Sequence, residues 1–135
     1  MTTVRPSHRP SPDGWMLADI LRIPGTRYAL LISADGLLQT HAGDITPDEA
    51  EPEAAAATGL QSLSRNITKD SSWNHTLIGY ADQHKIIMGA GQGSILYVTA
   101  DKTAELDVVA HRMSEVVKRM GTQLASAPRH ASDPV

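Results

Sequence analysis

TPDEAEPEAAAATGLQSLSRNIT, residues 46–68, is the one long helical pattern in this chain, and it stands between two blocks of strand signal. Thr46 can accept from the free N–H groups of a helix start, and Pro47 suits the first helical position. Glu49, three residues after Thr46, completes a capping box. Acidic residues at 48, 49, 51 and 53 lie where the helix dipole favours negative charge. A continuous helix here would run roughly 35 Å at ~1.5 Å per residue, enough to cross a small domain. Pro52 removes one backbone donor and crowds the carbonyl four residues back, so the helix either begins near Glu51 or bends in its first turns.

At about 100° per residue, Ala56, Leu60, Leu63 and Ile67 share one stripe, which reads as an ordinary core face. Ala55, Thr58, Gly59, Ser62 and Asn66 make a second stripe, centred roughly 115° round the helix from the first. It holds only small or short side chains, and its glycine costs a helix ~1 kcal/mol relative to alanine. Two readings stand for it. Small residues let a second helix approach closely; alternatively, the stripe is an alanine-rich solvent face chosen for helix propensity.

Composition bounds the rest. The chain of 135 residues fits one domain, and 41% hydrophobic residues suffice for a core that Leu, Ile, Val and Met must fill, since there is no phenylalanine. A net charge of -3 supplies no basic footprint for nucleic acid. The absence of cysteine excludes disulfides, thiol nucleophiles and Cys-ligated zinc. No apolar run approaches the ~20 residues that span a bilayer, and the first residues lack a signal-peptide core, so the cytoplasm is the expected location.

Residues 1–12, with three prolines and Arg5, His8 and Arg9, are expected to form a flexible, weakly basic arm. From Asp13 as cap, Met16, Leu17, Ile20 and Leu21 repeat at helical spacing until Pro24-Gly25. The unbroken run Tyr28-Ala-Leu-Leu-Ile32 suits a strand covered on both faces, and Asp35-Gly36 turns it into a hairpin with residues 37–41. After the central helix come strand candidates at 75–81, 84–90 and 94–100, joined by gaps too short for anything but antiparallel neighbours. Residues 103–124 form a last helix with Leu106, Val109, Ala110, Met113, Val116, Val117 and Met120 as its apolar stripe. A loose tail is expected over 125–135. The fold class is therefore α+β: a domain over 13–124 whose five-stranded antiparallel sheet carries the central helix on one face and the terminal helices on the other.

No motif in the sequence proposes a reaction. Gly89-Ala-Gly-Gln-Gly-Ser94 resembles a phosphate loop, but Ser94 opens a strand where a helix N-terminus is needed, so a turn is the better reading. The histidines at 8, 41, 75, 84, 111 and 130 form no close pair with metal-ligand spacing. Asn66-Ile-Thr68 and Asn74-His-Thr76 are chance glycosylation matches without a secretory signal, and no G-x-S-x-G elbow occurs. The carboxylates at 48, 49, 51 and 53 read as dipole complements. No catalytic residue, cofactor or metal is expected.

Several local strings are similar to those of the Roadblock/dynein light chain family, in particular its actinobacterial members. They are Arg22-Ile-Pro-Gly25, Ser33-Ala-Asp-Gly-Leu37, Gly59-Leu-Gln-Ser-Leu63, Leu96-Tyr-Val-Thr-Ala100 and Glu115-Val-Val-Lys-Arg-Met120, and with the order of elements they carry a resemblance over roughly residues 13–124. The resemblance implies a profilin-like order of one helix, two strands, a helix, three strands and a helix. It also implies a non-enzymatic homodimer whose central helices pack together and whose sheets join edge to edge. On this reading the interface comprises Ala55, Thr58, Gly59, Ser62 and Asn66 of the helix, with Trp73, Leu77 and Gly79 at the strand joint. The implied partners are a small Ras-like GTPase and, in actinobacteria, a sensor-kinase-like protein. Arg65 is the nearest candidate for an arginine finger, a solvated helix arginine being the plainer reading. The alternative is a small-ligand sensor domain with a pocket between sheet and helices.

Overall fold

Glycine-punctuated turns close the two hairpins from which the sheet is built. In the computed structural model, which describes residues 14–126, β1 (Thr26–Ile32) pairs antiparallel with β2 (Leu38–Gly43). β4 (Gln83–Gly91) pairs likewise with β5 (Ser94–Asp101), and β3 (His75–Gly79) adds to β4. The β4–β5 turn has φ of 54° at Gln92 and 84° at Gly93, the left-handed values that a tight primed hairpin turn demands. The glycine-rich string is thus a turn. β1 and β5 then join the hairpins, giving the order β2-β1-β5-β4-β3.

The expected arm at 1–12, the cap at Asp13 and the tail beyond 126 lie outside the described residues. The last helix, α3 (Leu106–Ser126), runs two residues into the expected tail and starts three residues later than its pattern suggests.

The unbroken apolar run in β1 is explained by its place inside a two-faced sheet. Ala29 and Leu31 point to a core shared with Met16, Leu17 and Ile20 of α1 (Gly14–Ile20) and with Val109, Met113 and Val116 of α3. Leu30 and Ile32 point the other way, to a core with Ile87, Ile95 and Tyr97 beneath α2 (Pro47–Arg65).

The start of α2 forms as its sequence implies. Thr46 Oγ1 accepts from the Glu49 N–H at 3.2 Å, and Glu49 Oε1 accepts from the Thr46 N–H at 2.9 Å. Pro52 neither delays nor breaks the helix. It and Asp48, whose carbonyl loses its helical donor, both lie on the exposed side.

The core face of α2 differs from the expected one. Ala50, Ala54, Ala57 and Gln61 are buried, whereas Leu60, Leu63 and Ile67 are 39%, 67% and 82% exposed. At about 100° per residue, the buried row lies roughly 120° from the leucine stripe. Alanine methyls allow the helix to sit close on a sheet surface already filled by Leu30, Ile32, Ile87, Ile95 and Tyr97. Leucine there would overfill the layer.

On the opposite face α1 is clamped to α3 through Asp19. Arg119 donates to its carboxylate at 3.0 Å, and Arg112 donates to its backbone carbonyl at 3.1 Å. The Arg119 hydrogen bond, reinforced by the charges of Arg112, Arg119 and Arg22, holds the Asp19 carboxyl below its ordinary range. A lowered folded pKa stabilises the protein above the unfolded carboxyl range near pH ~4, and that stabilisation is lost as pH falls through the lowered value. Asp19→Asn should therefore cost on the order of 1 kcal/mol at neutral pH. Urea melts at descending pH should show the difference from wild type vanish in strong acid.

Gly43, at φ 96°, ends β2 where an added Cβ would stand 2.5 Å from the Arg27 carbonyl oxygen. Gly43→Ala should lower stability by about 1–3 kcal/mol, read as a shift in the urea midpoint at constant slope.

Candidate functional site

The outer side of α2 is the place where this chain departs most from an ordinary soluble surface. Leu60, Leu63 and Ile67 form an exposed apolar row, and Ala56 lies among them, also exposed. Two contacts orient it. Ser64 Oγ accepts from Thr76 Oγ1 of β3 at 3.0 Å, so that side of α2 looks toward β3. Thr58 instead faces the β1–β2 turn, 3.6 Å from where a Cβ on Gly36 would stand. By helical arithmetic the leucine row lies about 70° from Ser64 and about 170° from Thr58. The exposed apolar row therefore leans over the β3 side of the sheet.

β3 is an edge strand, bonded to β4 on one side only. Thr76 and Ile78 point toward α2; His75, Leu77 and Gly79 point to the other face and are exposed, Leu77 by 52%. Trp73 precedes the strand. Its indole N–H donates to Thr76 Oγ1 at 2.9 Å, and its ring rests on Gly89, where a Cβ would come within 3.3 Å. A groove of about 360 Å³ lined by Ser64, Ile67, Trp73, His75 and Thr76 makes the helix row and the strand edge one continuous surface.

The sequence-derived interface residues divide accordingly. Ala55, Gly59 and Ser62 are exposed on the crest of α2, with open space where a Gly59 Cβ would go. Asn66 is exposed as the C-cap, its amide donating to the Ser62 carbonyl at 3.1 Å. Thr58 is half-buried on the far side, its hydroxyl donating to the Ala54 carbonyl at 2.9 Å. Trp73, Leu77 and Gly79 gather at the β3 edge.

Sequence reading missed a polar network beneath α2. Glu53, taken as a dipole complement, accepts from the Tyr28 hydroxyl at 2.7 and 2.9 Å and from the Tyr97 hydroxyl at 2.5 Å. Lys85 donates to the Tyr28 oxygen at 2.9 Å and the Thr99 oxygen at 3.0 Å, and stands 3.4 Å from Glu53. Burial, and then the hydrogen bond to the Glu53 carboxylate, push the Tyr97 phenol well above its ordinary pKa. The one local signal was Lys85 directly before Ile86-Ile87, a charge abutting a buried run; its partners lie in β1, β5 and α2. A groove of about 340 Å³ bounded by Arg27, Asp44, Glu49 and Glu53 opens beside this network. Its charged groups already have partners: Arg27 with Asp44, Glu49 in the cap, Glu53 with Lys85.

Among the described residues no group of three or more His, Asp or Glu side chains could hold a metal ion, and no helix is long and apolar enough to cross a membrane.

An antiparallel five-stranded sheet with one helix on one face and a helix pair on the other is the profilin-like α+β architecture. The chain belongs to the Roadblock/LC7 family, whose domain model matches residues 13–100. A crystal structure of a Roadblock/LC7 domain from Streptomyces avermitilis superposes with a TM-score of 0.77 at 29% identity, covering 83% of this chain and 97% of that one. A second structure of a Roadblock/LC7 domain from that organism gives 0.67 at 30% identity, covering 81% and 98%. The gliding protein MglB of Thermus thermophilus gives 0.71 at 22%, covering 82% and 89%. The Streptomyces matches agree with the actinobacterial part of the resemblance. A search of the curated proteins finds no match to this sequence.

The Glu53 network makes a direct prediction. Lys85 is only 11% exposed while Glu53 is 31% exposed, so Glu53→Gln strands a largely buried charge against partly solvated surroundings. The loss should be about 1–3 kcal/mol, less than for a fully buried pair. Adding Lys85→Met should recover part of it in a double-mutant cycle of denaturation midpoints.

Proposed function

We propose that this protein is a non-enzymatic regulatory scaffold: a homodimer that offers a platform to a small Ras-like GTPase in a bacterial signalling complex. The observation that carries the self-association is the continuity of the exposed Leu60–Leu63–Ile67 row with the open edge of β3, through Trp73. A row of large aliphatic side chains beside an unpaired strand edge is an association hazard unless something covers it. A second copy placed by a two-fold axis would bring like against like and extend the sheet across both chains. In this arrangement the weight of the contact falls on Ala56, Leu60, Leu63 and Ile67 with Trp73, Leu77 and Gly79. Ala55, Gly59, Ser62 and Asn66 form the crest alongside, and Thr58 supports the β1–β2 turn.

The GTPase reading rests on family membership and on the resemblance described above, and it places the protein in the cytoplasm with its partner. Regulation would work by preference: a scaffold that binds one nucleotide state more tightly shifts its population in proportion to that difference. A sensor-kinase-like protein is the further partner that the resemblance suggests.

Light scattering after size exclusion should give a two-chain mass for the wild type. Leu63→Glu should give a folded single chain, with dimer affinity weakened by about 30-fold or more. Gly59→Lys, on the crest, should weaken it as well. Unchanged two-chain mass in Leu63→Glu removes the helix row from the interface. Pull-down with a small Ras-like GTPase loaded with GDP or with a non-hydrolysable GTP analogue should show capture of one state over the other; no capture of either overturns the platform reading.

A further inference from the structure

The sheet ends in two edge strands, β2 and β3, and they are not alike. Along β2, Thr40 lies opposite Leu31 but Leu38 lies opposite Ile32, so Gln39 is an extra residue and the edge is bulged. A bulge twists an edge away from further pairing. β3 matches β4 residue for residue from His75 to Gly79, with no bulge and with no proline, lysine, arginine or carboxylate in the strand.

The turn after β3 settles which of its backbone groups are free. The Tyr80 N–H donates to the Gln83 carbonyl at 2.8 Å, so these two residues are a hydrogen-bonded pair. In an antiparallel ladder such pairs alternate with non-bonded ones. Counted back in the same register, Ile78 with Lys85 and Thr76 with Ile87 are bonded pairs. Gly79 with His84, Leu77 with Ile86 and His75 with Met88 are not. The N–H and C=O groups of His75, Leu77 and Gly79 therefore point outward from the sheet, where a further strand can meet them. The same three residues are exposed on the face opposite α2.

We propose that β3 pairs antiparallel with β3 of a second copy in one register, with Leu77 opposite the partner's Leu77 and His75 opposite the partner's Gly79. The inference rests on the homodimer reading and fixes how the two sheets are joined. The outward groups are symmetric about Leu77, as a two-fold axis requires. In this register His75, Leu77 and Gly79 each exchange both backbone bonds with a counterpart. A shift by two residues leaves Gly79 or His75 without one, and a shift by one sets free groups against groups already bonded to β4. The side chains agree with it. Each His75 imidazole stands opposite a residue with no side chain, and the two exposed Leu77 side chains meet at the axis. The same axis draws the α2 rows together, because Ser64 of α2 is held to Thr76, which falls opposite the partner's Ile78. An unrelated extended peptide would fill the edge but leave the α2 row uncovered.

The chain has no cysteine, so one introduced thiol reports the register. Opposite residues of a bonded antiparallel pair have Cα atoms about 5.5 Å apart, within the span of a disulfide. Leu77→Cys in the full chain, oxidised with copper phenanthroline, should run mostly as a covalent two-chain species on a non-reducing gel. Gly79→Cys alone should stay single, since the two copies of that residue stand roughly 13 Å apart along the joint. Its fold should be retained, because an added Cβ there makes only ordinary contact with His84, at 3.6 Å. Gly79→Cys mixed with a size-tagged His75→Cys should cross-link as the unlike pair, and this pair carries the test if Leu77→Cys weakens self-association. Two-chain mass of the wild type by light scattering, with neither cross-link or with Gly79→Cys joined to itself, overturns the register and leaves the homodimer reading standing. A single-chain mass of the wild type overturns both.

Discussion

Everything on the α2 side follows from how closely that helix lies on the sheet. Ala50, Ala54 and Ala57 are its contact points, and each contributes a single methyl group. The volume of this core comes from the strands, through Leu30, Ile32, Ile87, Ile95 and Tyr97. A helix seated on methyl groups cannot also turn its leucines inward without lifting off the sheet, so Leu60, Leu63 and Ile67 face outward. Close packing inside thus produces the unsatisfied apolar row outside, and interior and candidate interface are two results of one choice of side-chain size.

Shape alone leaves an alanine face free to slide, and the polar network limits this. Glu53 takes hydroxyl donors from Tyr28 and Tyr97 and faces the Lys85 ammonium, so β1, β4, β5 and α2 are tied at one point. Hydrogen bonds have angular demands that methyl contacts lack. The network therefore sets the rotation of α2 about its own axis, and with it the direction in which the leucine row points.

Features encoded by neighbouring residues were legible in the sequence. The Thr46–Glu49 capping box, the Asp35-Gly36 and Gln92-Gly93 turns, the two-faced run in β1 and the α3 stripe each depend on residues a few positions apart, and all recur in the structure. The layer order followed from them because short gaps allow few topologies. The rotation of α2 was not legible. A period of 3.6 marks which residues share a stripe, but not which stripe meets the sheet when one is leucine and another alanine. Pro52 was read as delaying the helix to near Glu51 or bending its first turns because its local effect was weighed without knowing that it would face water. The Glu53 partners come from strands far apart in the chain, and only the pairing of Lys85 with Thr99, and of Thr99 with Tyr28, puts them on one surface.

The strand order has a consequence for the route by which the chain reaches this state. The two hairpins close over a handful of residues each, but the seam between them, β1 against β5, pairs residues such as Ile32 and Ile95 that are some sixty positions apart. Closing so long a loop is entropically slow compared with hairpin closure, and it gains its reward only when both halves already exist. During synthesis the early hairpin and α2 must therefore wait, with one flank of β1 unpaired, until the later hairpin has left the ribosome. The middle of the sheet is assembled last.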